Sequence, residues 1–132
     1  MTITADPSVF VSVILNEPTK PALVKATEGA ELQAPPSIPW EVANALSALV
    51  RRNRITPDQA RSALSEYQSI PVRLAEIDLE AALTLAAKYR IYAYDAFVID
   101  CAKRYRTPLL SLDRRQVGIA EQEGVEIIPI LP

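Results

Sequence analysis

The sequence predicts an α/β fold with a mostly parallel sheet, because short apolar segments alternate with longer helical ones. The clearest short segment is Pro108–Leu112, which is followed by Asp113 and then by the helical run Arg114–Glu123. The first segment, Thr2–Asp6, also leads into a helix. Two strands therefore end in an aspartate, Asp6 or Asp113, at the edge where open α/β sheets bind their ligands.

Helix-capping residues and prolines mark the boundaries of the other expected helices and strands. Thr56, Pro57 and Gln59 form the capping-box pattern of a helix start. The segment Ala34–Pro39 contains three prolines, which remove backbone donors and predict a loop. Pro71 favours an edge strand or a strand end. The other expected helices are Ser8–Leu15, Lys20–Glu28, Trp40–Asn53, Thr56–Tyr67, Asp78–Tyr89 and one carrying Asp95, and the other expected strands are Ile70–Leu74 and Val125–Ile130.

Apolar residues at helical spacing predict which helix faces are buried. The stripes are Val42, Leu46 and Leu49 on the helix from Trp40, and Leu79, Leu83 and Ala86 on the helix from Asp78. Beside the first stripe, Glu41 aligns with Ala45 and Ala48, whose small side chains leave room for another group. This setting suits a ligand or a base.

The composition limits the class of protein. The chain has 132 residues, of which 49% are hydrophobic, so we expect one domain over residues 1–132. Its apolar runs are far shorter than the roughly 18 residues of a membrane span. The N-terminal segment lacks the basic residues of a secretory signal. We therefore expect a soluble, cytoplasmic protein with no membrane partner.

The ionisable residues restrict the chemistry. A formal net charge of −2 gives no overall attraction to nucleic acid, so RNA would need a local basic patch or a metal ion. Histidine is absent, which excludes serine–histidine–acid hydrolysis and histidine-ligated zinc as ordinarily built. The one cysteine, Cys101, lies on an apolar helix face and is interpreted as a structural thiol.

Four acids stand out: Asp6 and Asp113 at strand ends, Glu41 among alanines, and Asp95 on the apolar face of its helix. Converging carboxylates repel, so such a site needs protons or a divalent cation, and all-oxygen ligands favour Mg²⁺ or Mn²⁺. These ions promote phosphodiester hydrolysis without histidine. Each acid also has a purely structural interpretation, as a helix cap for the three aspartates and as a favourable first-turn acid for Glu41.

Three segments resemble a known family: TADPSVFVSVILNEP at the start, APPSIPWEVANAL in the middle and AYDAFVIDCAKRYRTPLLSLDRR near the end. In this order and spacing they resemble PIN-domain proteins, specifically the VapC-like ribonuclease toxins of type II toxin–antitoxin pairs. The resemblance spans nearly the whole chain. It implies a three-layer α/β/α sandwich in which helices cover both faces of a mostly parallel sheet.

The resemblance also implies a set of site residues. The four family acids correspond to Asp6, Glu41, Asp95 and Asp113, which would be catalytic. Of these, Asp6, Asp95 and Asp113 would hold Mg²⁺ or Mn²⁺. Pro7 departs from the small residue or threonine that is usual between the aspartate and the serine. Further candidates are Ser8, Asp100, Ser111, Arg114 and Arg115.

The resemblance implies partners as well. The substrate would be RNA, and family members are commonly homodimers. A small cognate antitoxin would lie along the active-site groove and place an arginine among the acids. The apolar residues of the first helix, Val9, Val11, Val13 and Leu15, would offer surface to an antitoxin helix.

Several residues have competing interpretations. Asp100 precedes Lys103 and Arg104 by three and four positions, which favours a solvated helical ion pair. Arg114 and Arg115 follow Asp113 directly and would meet RNA phosphates. Trp40 and the tyrosines are interpreted as core or interface residues rather than base-stacking platforms.

Two other function classes compete with a nuclease toxin. A non-catalytic PIN-like module would bind RNA or protein without productive metal binding. A phosphoacceptor signalling domain is also a small α/β chain, but the sequence has neither an adjacent acidic pair after the first strand nor a lysine at the end of a late strand.

Overall fold

The computed structural model describes residues 1–130, which form four strands and seven helices. In chain order these are β1 Thr2–Ala5, α1 Pro7–Ile14, α2 Lys20–Ala26, β2 Glu31–Ala34, α3 Ile38–Arg51, α4 Pro57–Ser69, β3 Val72–Leu74, α5 Leu79–Tyr89, α6 Ala93–Tyr105, β4 Leu109–Leu110 and α7 Arg114–Gln122. Within this range no helix combines the length and the apolar character needed to cross a bilayer.

All the strands pair in parallel, in the order β3-β2-β1-β4. β1 lies between β2 and β4, with Ile3 opposite Leu32 and Ala5 opposite Leu110. The carboxyl ends of the strands therefore share one edge of the sheet. Asp6 follows β1 directly at this edge.

Helices cover both faces of the sheet. Leu109 and Leu110 are adjacent in β4, so their side chains point to opposite faces, and both are fully buried. Leu109 packs in a core with residues of α5, α6 and α7, whereas Leu110 packs in a core with residues of α1, α3 and α4. The chain is thus the three-layer α/β/α sandwich with a parallel sheet that the sequence predicted.

Several local predictions are confirmed. Thr56 caps α4 and Gln59 completes the capping box. β3, which follows Pro71, is an edge strand of the sheet. Val42 and Leu46 are buried in the core on the predicted face of α3. Cys101 is buried, and burial raises the pKa of its thiol to about 11, which suits an unreactive structural thiol.

The sequence analysis missed β2, which pairs with both β1 and β3. Its residues, Glu31–Ala34, include no β-branched or aromatic side chain, so no local preference marked it as a strand. The loop predicted over Ala34–Pro39 was also too long, because α3 begins at Ile38. Pro39 is tolerated there because the first turn of a helix has no N–H partner to lose.

The predicted strand Val125–Ile130 was wrong. The segment forms one isolated parallel bridge, between Leu109 and Ile127. Leu109 N donates to Glu126 O, and Ile128 N donates to Leu109 O. β4 itself has two residues, so it offers no partner for a longer ladder.

The buried face of α5 also differs from the predicted one. Leu79 and Leu83 are 63% and 61% exposed, whereas Ala82 and Leu85 are buried. Helix α5 therefore packs through Ala82 and Leu85, with Ala86 of the predicted stripe partly buried beside them, and leaves Leu79 and Leu83 in solvent. The exposed leucines lie four residues apart on one face of the helix.

Candidate active site

Asp6 lies buried between the end of β1 and the start of α1. Its Oδ1 accepts hydrogen bonds from the backbone N and the hydroxyl of Ser8, at 3.0 and 2.5 Å. Its Oδ2 accepts one from the Ser111 hydroxyl at 2.5 Å. Burial nevertheless raises the pKa of Asp6, so the carboxyl group is held in place in surroundings that disfavour its charge.

The two hydroxyl groups beside Asp6 also join the ends of β1 and β4. Ser8 Oγ accepts from Leu112 N, and Ser111 Oγ accepts from Asp113 N, each at 3.0 Å. The candidates Ser8 and Ser111 thus contact Asp6 directly. Their side chains orient this acid and connect it to the segment that carries Asp113.

Glu41 is half-buried in the first turn of α3. The pKa of Glu41 is raised to about 7, chiefly by burial and to a smaller degree by the nearby charges of Asp95 and Asp6, against the opposing effect of a hydrogen bond from Ser37. Ser37 Oγ donates that bond to Glu41 Oε2 at 2.8 Å. Glu41 therefore exchanges a proton near neutral pH, as a general base requires.

Asp95 lies in the first turn of α6, and its side chain is half-buried rather than fully buried as its apolar stripe suggested. Its capping interpretation was wrong, because Tyr92 is the N-cap and makes no side-chain capping bond. Burial raises the pKa of Asp95, and the charge of Asp113 adds to this while Arg115 opposes it. Asp95 is thus electrostatically linked to both Glu41 and Asp113.

Asp113 is exposed at the start of α7 and does cap that helix. Its Oδ1 accepts from the backbone N atoms of Arg115 and Gln116, at 3.0 and 3.2 Å. In this capping position the Asp113 carboxylate still lies close enough to Asp95 for its charge to raise the pKa of Asp95. The four predicted acids therefore form one coupled series, in the order Asp6, Glu41, Asp95 and Asp113.

The family profile described as PIN domain matches residues 3–122. The chain belongs to the PIN-domain family. A comparison with curated protein sequences found no significant relative of this PIN domain.

Solved structures share the fold at low sequence identity. PAE2754 from Pyrobaculum aerophilum is 21% identical, with a TM-score of 0.68 over 90% of this chain and 87% of that one. VapBC2 from Rickettsia felis, solved with a DNA fragment from its promoter, is 11% identical, with a TM-score of 0.66 over 97% and 98%. Mycobacterium tuberculosis VapC20, described as a sarcin–ricin loop cleaving toxin, is 14% identical, with a TM-score of 0.63 over 96% and 99%. At these identities the likeness shows the fold.

Gln116 is a residue of this PIN-domain site that the sequence analysis missed. It is buried, and its Nε2 donates to Asp95 O at 3.1 Å while its Oε1 lies 3.3 Å from the Ser111 hydroxyl. One side chain thus bridges the strand end that supports Asp6 and the helix turn that carries Asp95. The available signal was its spacing to Ile119, three residues on, which places a polar residue on the buried face of α7.

Asp100 lies outside this group, and its predicted solvated state was wrong. The side chain is buried, and its Oδ2 accepts from Asp78 N at 3.0 Å. Arg104 Nε lies 3.5 Å from the same oxygen, so the predicted helical ion pair is present. Asp100 thus ties α6 to the start of α5.

The two arginines after Asp113 differ in position. Arg115 Nη2 donates to the carbonyl oxygens of Tyr89 and Arg90, at 3.3 and 3.4 Å, and its charge lowers the pKa of Asp95. Arg114 instead lines a large apolar cavity together with Leu112. Arg115 is therefore the arginine that acts on the acids.

Trp40 was interpreted as a core or interface residue, but it is 74% exposed, so the core assignment was wrong. It lines a cavity of about 260 Å³ beside the acids, together with Glu41 and Tyr94. The space expected beside Glu41 therefore exists. Tyr67, by contrast, is in the core, as predicted, where its ring packs edge-on against Phe10.

The acids fit a hydrated divalent cation better than a dehydrated one. Within residues 1–130, no three potential ligand side chains converge closely enough to form a ready-made metal site, so Asp6, Asp95 and Asp113 are not a preformed cage. Their donor atoms are all oxygen, which suits Mg²⁺, and Mg²⁺ commonly keeps several waters and binds through one or two carboxylates. Burial is the main cause of the raised pKa of Glu41 and Asp95, and repulsion between the acids adds to it; such an ion would relieve that repulsion.

Proposed function

We propose that this PIN domain is a metal-dependent endoribonuclease that hydrolyses RNA phosphodiester bonds. The observation that carries the proposal is the series of four carboxylates that influence one another, of which Asp6 and Asp113 follow strand ends and Glu41 and Asp95 lie in the first turns of helices. Asp6, Glu41, Asp95 and Asp113 would be the catalytic residues, with Mg²⁺ or Mn²⁺ held through Asp6, Asp95 and Asp113. The absence of histidine is consistent with metal-assisted hydrolysis.

Each residue has a role that follows from its surroundings. A bound divalent ion would lower the pKa of a water molecule and offset charge on the phosphate. Glu41, with a pKa of about 7, would accept the proton of the attacking water. Ser8 and Ser111 would hold the Asp6 carboxyl group in one orientation, and Arg115, beside Asp95, would contact RNA phosphates.

The test is cleavage of mixed cellular RNA by the purified protein, with Mg²⁺ or Mn²⁺ and with chelator. We expect discrete cuts that require metal. Glu41→Gln, Asp95→Asn and Asp113→Asn should each lower the rate at least about 100-fold, or roughly 2.7 kcal/mol of transition-state stabilisation. Asp100→Asn is the matched control, because it retains an oxygen acceptor for Asp78 N and lies outside the series. Cleavage that survives the three substitutions would refute the assignment.

We further propose that the nuclease is a cytoplasmic toxin neutralised by a cognate antitoxin. The proposal is supported by the structural likeness to VapBC2, a toxin–antitoxin complex by its name, and to the toxin VapC20. An arginine of the antitoxin would enter the acidic site, where a guanidinium pairs bidentately with a carboxylate. Expression alone should arrest growth, and co-expression of the adjacent small gene should restore it. Normal growth of cells that express folded, RNA-cleaving protein without the small gene would refute the toxin role but leave the nuclease assignment in place.

The apolar surface available to partners differs from the predicted one. Val9 is in the core, and Val13 and Leu15 pack against it, so α1 offers less surface than its sequence suggested. The exposed leucines of α5, Leu79 and Leu83, are instead available. We assign this face of α5 to the homodimer contact that the resemblance implies.

A non-catalytic PIN module that binds RNA or protein is the second candidate. The observation that favours it is the lack of a preformed three-ligand metal site within residues 1–130. RNA binding without metal-dependent cuts would distinguish this module from the enzyme.

A further inference from the structure

Two exposed aromatic rings flank the candidate acids in equivalent sequence positions. Trp40 directly precedes Glu41 in the first turn of α3, and Tyr94 directly precedes Asp95 in the first turn of α6. Their exposures are 74% and 53%. Neither ring is needed to fill the core, so both present aromatic surface to a ligand beside the acids.

The two rings line one cavity. Its volume is about 260 Å³, and its lining consists of Pro7, Trp40, Glu41, Asn44, Ala45 and Tyr94. Ligand pockets for drug-sized molecules begin at about 300 Å³, so this cavity suits one small planar group. The small side chain of Ala45 contributes to the space between the larger groups.

The cavity is partly pre-organised. The Tyr94 ring packs edge-on against Phe97, with centroids 5.6 Å apart and an angle of 87° between the planes. This contact limits the motion of a ring that is otherwise half in solvent. Asn44 adds an amide with two donors and an acceptor, which match the edge of a nucleobase.

We propose that this cavity binds one unpaired base of a single-stranded RNA, stacked on Trp40 and flanked by Tyr94, with Asn44 at the edge of the base. The inference rests on the proposed nuclease function, in which the phosphate next to that base reaches the acids. A neutral base tolerates the neighbouring carboxylates better than a phosphate does, which favours a base as the group that enters. A base paired in a duplex has no free face, so this cavity would accept only an unpaired base.

The test uses the single tryptophan of the chain as its own reporter. In chelator, where no cleavage occurs, a short single-stranded oligoribonucleotide should quench Trp40 fluorescence in a saturable way. The same length of RNA as a duplex, or with abasic sites, should quench much less. Equal quenching by the abasic strand would overturn the inference, because phosphates alone would then account for binding.

Variants give an independent measurement through the anisotropy of labelled RNA. Trp40→Ala should weaken binding about 10-fold and Trp40→Phe should restore most of it, because base stacking needs an aromatic face. Val24→Ala, a change at an exposed apolar position on α2, is the control and should leave the affinity unchanged. An unchanged affinity in Trp40→Ala would overturn the inference.

Kinetics separate this inference from the proposed function. With metal present, Trp40→Ala should raise KM and leave kcat nearly unchanged, as expected for lost substrate binding. Metal-dependent cleavage with wild-type KM in this variant would overturn the base site and leave the nuclease standing. Selective quenching by unpaired RNA without any cleavage would support the base site and refute the nuclease. A Trp40 emission shift that follows protein concentration instead of RNA would assign the cavity to a second copy of the chain and overturn the inference.

Discussion

The Ser111 hydroxyl donates to Asp6 Oδ2 at 2.5 Å, although the two residues are 105 positions apart in the chain. The contact joins the ends of β1 and β4, which are neighbours in the parallel sheet. It lowers the pKa of Asp6, against the larger opposing effect of burial. The orientation of the most buried acid of the site thus depends on a tertiary contact.

Ser111→Ala should lower the free energy of unfolding by about 1–3 kcal/mol, because a buried carboxyl group loses a donor. The loss should be larger at pH 8 than at pH 4, since the missing bond favours the charged form of Asp6. Urea unfolding at the two pH values measures this. Ser62→Ala, on the exposed face of α4, is the control. Equal losses at both pH values would contradict the link to Asp6.

Gln116→Leu should reduce cleavage about 10-fold, because Asp95 loses the bond to its carbonyl oxygen and Ser111 loses a neighbour. The fall should appear in kcat, because the side chain is buried and positions groups of the site. Steady-state kinetics with a short RNA measures it. Gln122→Leu, exposed on the same helix, should retain full activity. A wild-type kcat in Gln116→Leu would show that the bridge is dispensable.

Stability in chelator should fall as the pH rises from about 4.5 to about 7. In this window the folded protein retains the Glu41 proton that the unfolded chain has lost, because burial raises the pKa of Glu41 from its ordinary 4.5 to about 7. The full shift corresponds to about 3 kcal/mol, and solvent screening of this half-buried side chain reduces the expected contribution to about 2 kcal/mol. Glu41→Gln stays neutral, so it should match wild type at pH 4 and exceed it at pH 8. Parallel pH profiles for the two proteins would disprove this.

Mn²⁺ should raise the melting temperature, and more so at pH 8 than at pH 5, because an ion binds the deprotonated carboxylates. Asp6→Asn together with Asp95→Asn should abolish most of the shift. Asp58→Asn, an exposed acid paired with Arg61, is the matched control and should retain it. An equal shift in the double variant would place the ion elsewhere.

Leu83→Glu should convert a dimer to a monomer if the exposed face of α5 is the contact between copies. A charge on this face would be costly to bury without a partner. Sedimentation velocity over a range of concentrations measures the change. Val24→Glu, which changes an exposed apolar residue on α2, is the control and should leave the oligomeric state unchanged. A dimer that persists in Leu83→Glu would exclude this face.

Local signals in the sequence were sufficient for features that depend only on residues a few positions apart. The capping box at Thr56 and Gln59 depends on residues three positions apart, and it formed as predicted. The acids at strand ends, Asp6 and Asp113, were likewise marked by a strand followed directly by a helix start. Parallel pairing then brought these two ends to one edge, as the rule for open α/β sheets requires.

Long-range packing decided the features that the sequence concealed. β2 is a strand because β1 and β3 supply its hydrogen bonds, although Glu31–Ala34 has no strong strand preference. The Asp100 carboxylate is buried because Asp78 N, at the start of α5, donates a hydrogen bond to it and Arg104, on its own helix, pairs with its charge.

The sequence by itself determined the capping box at the start of α4 and the places of Asp6 and Asp113 between a strand and a helix, because each depends on neighbours within one turn of the chain. Only the tertiary structure decided that Gln116 reaches Asp95, that Leu79 and Leu83 face solvent, and that the acids are coupled without forming a closed metal cage. The physical reason is that burial and electrostatic coupling depend on distances between residues far apart in sequence. Those distances arise from the packing of helices on the two faces of the sheet.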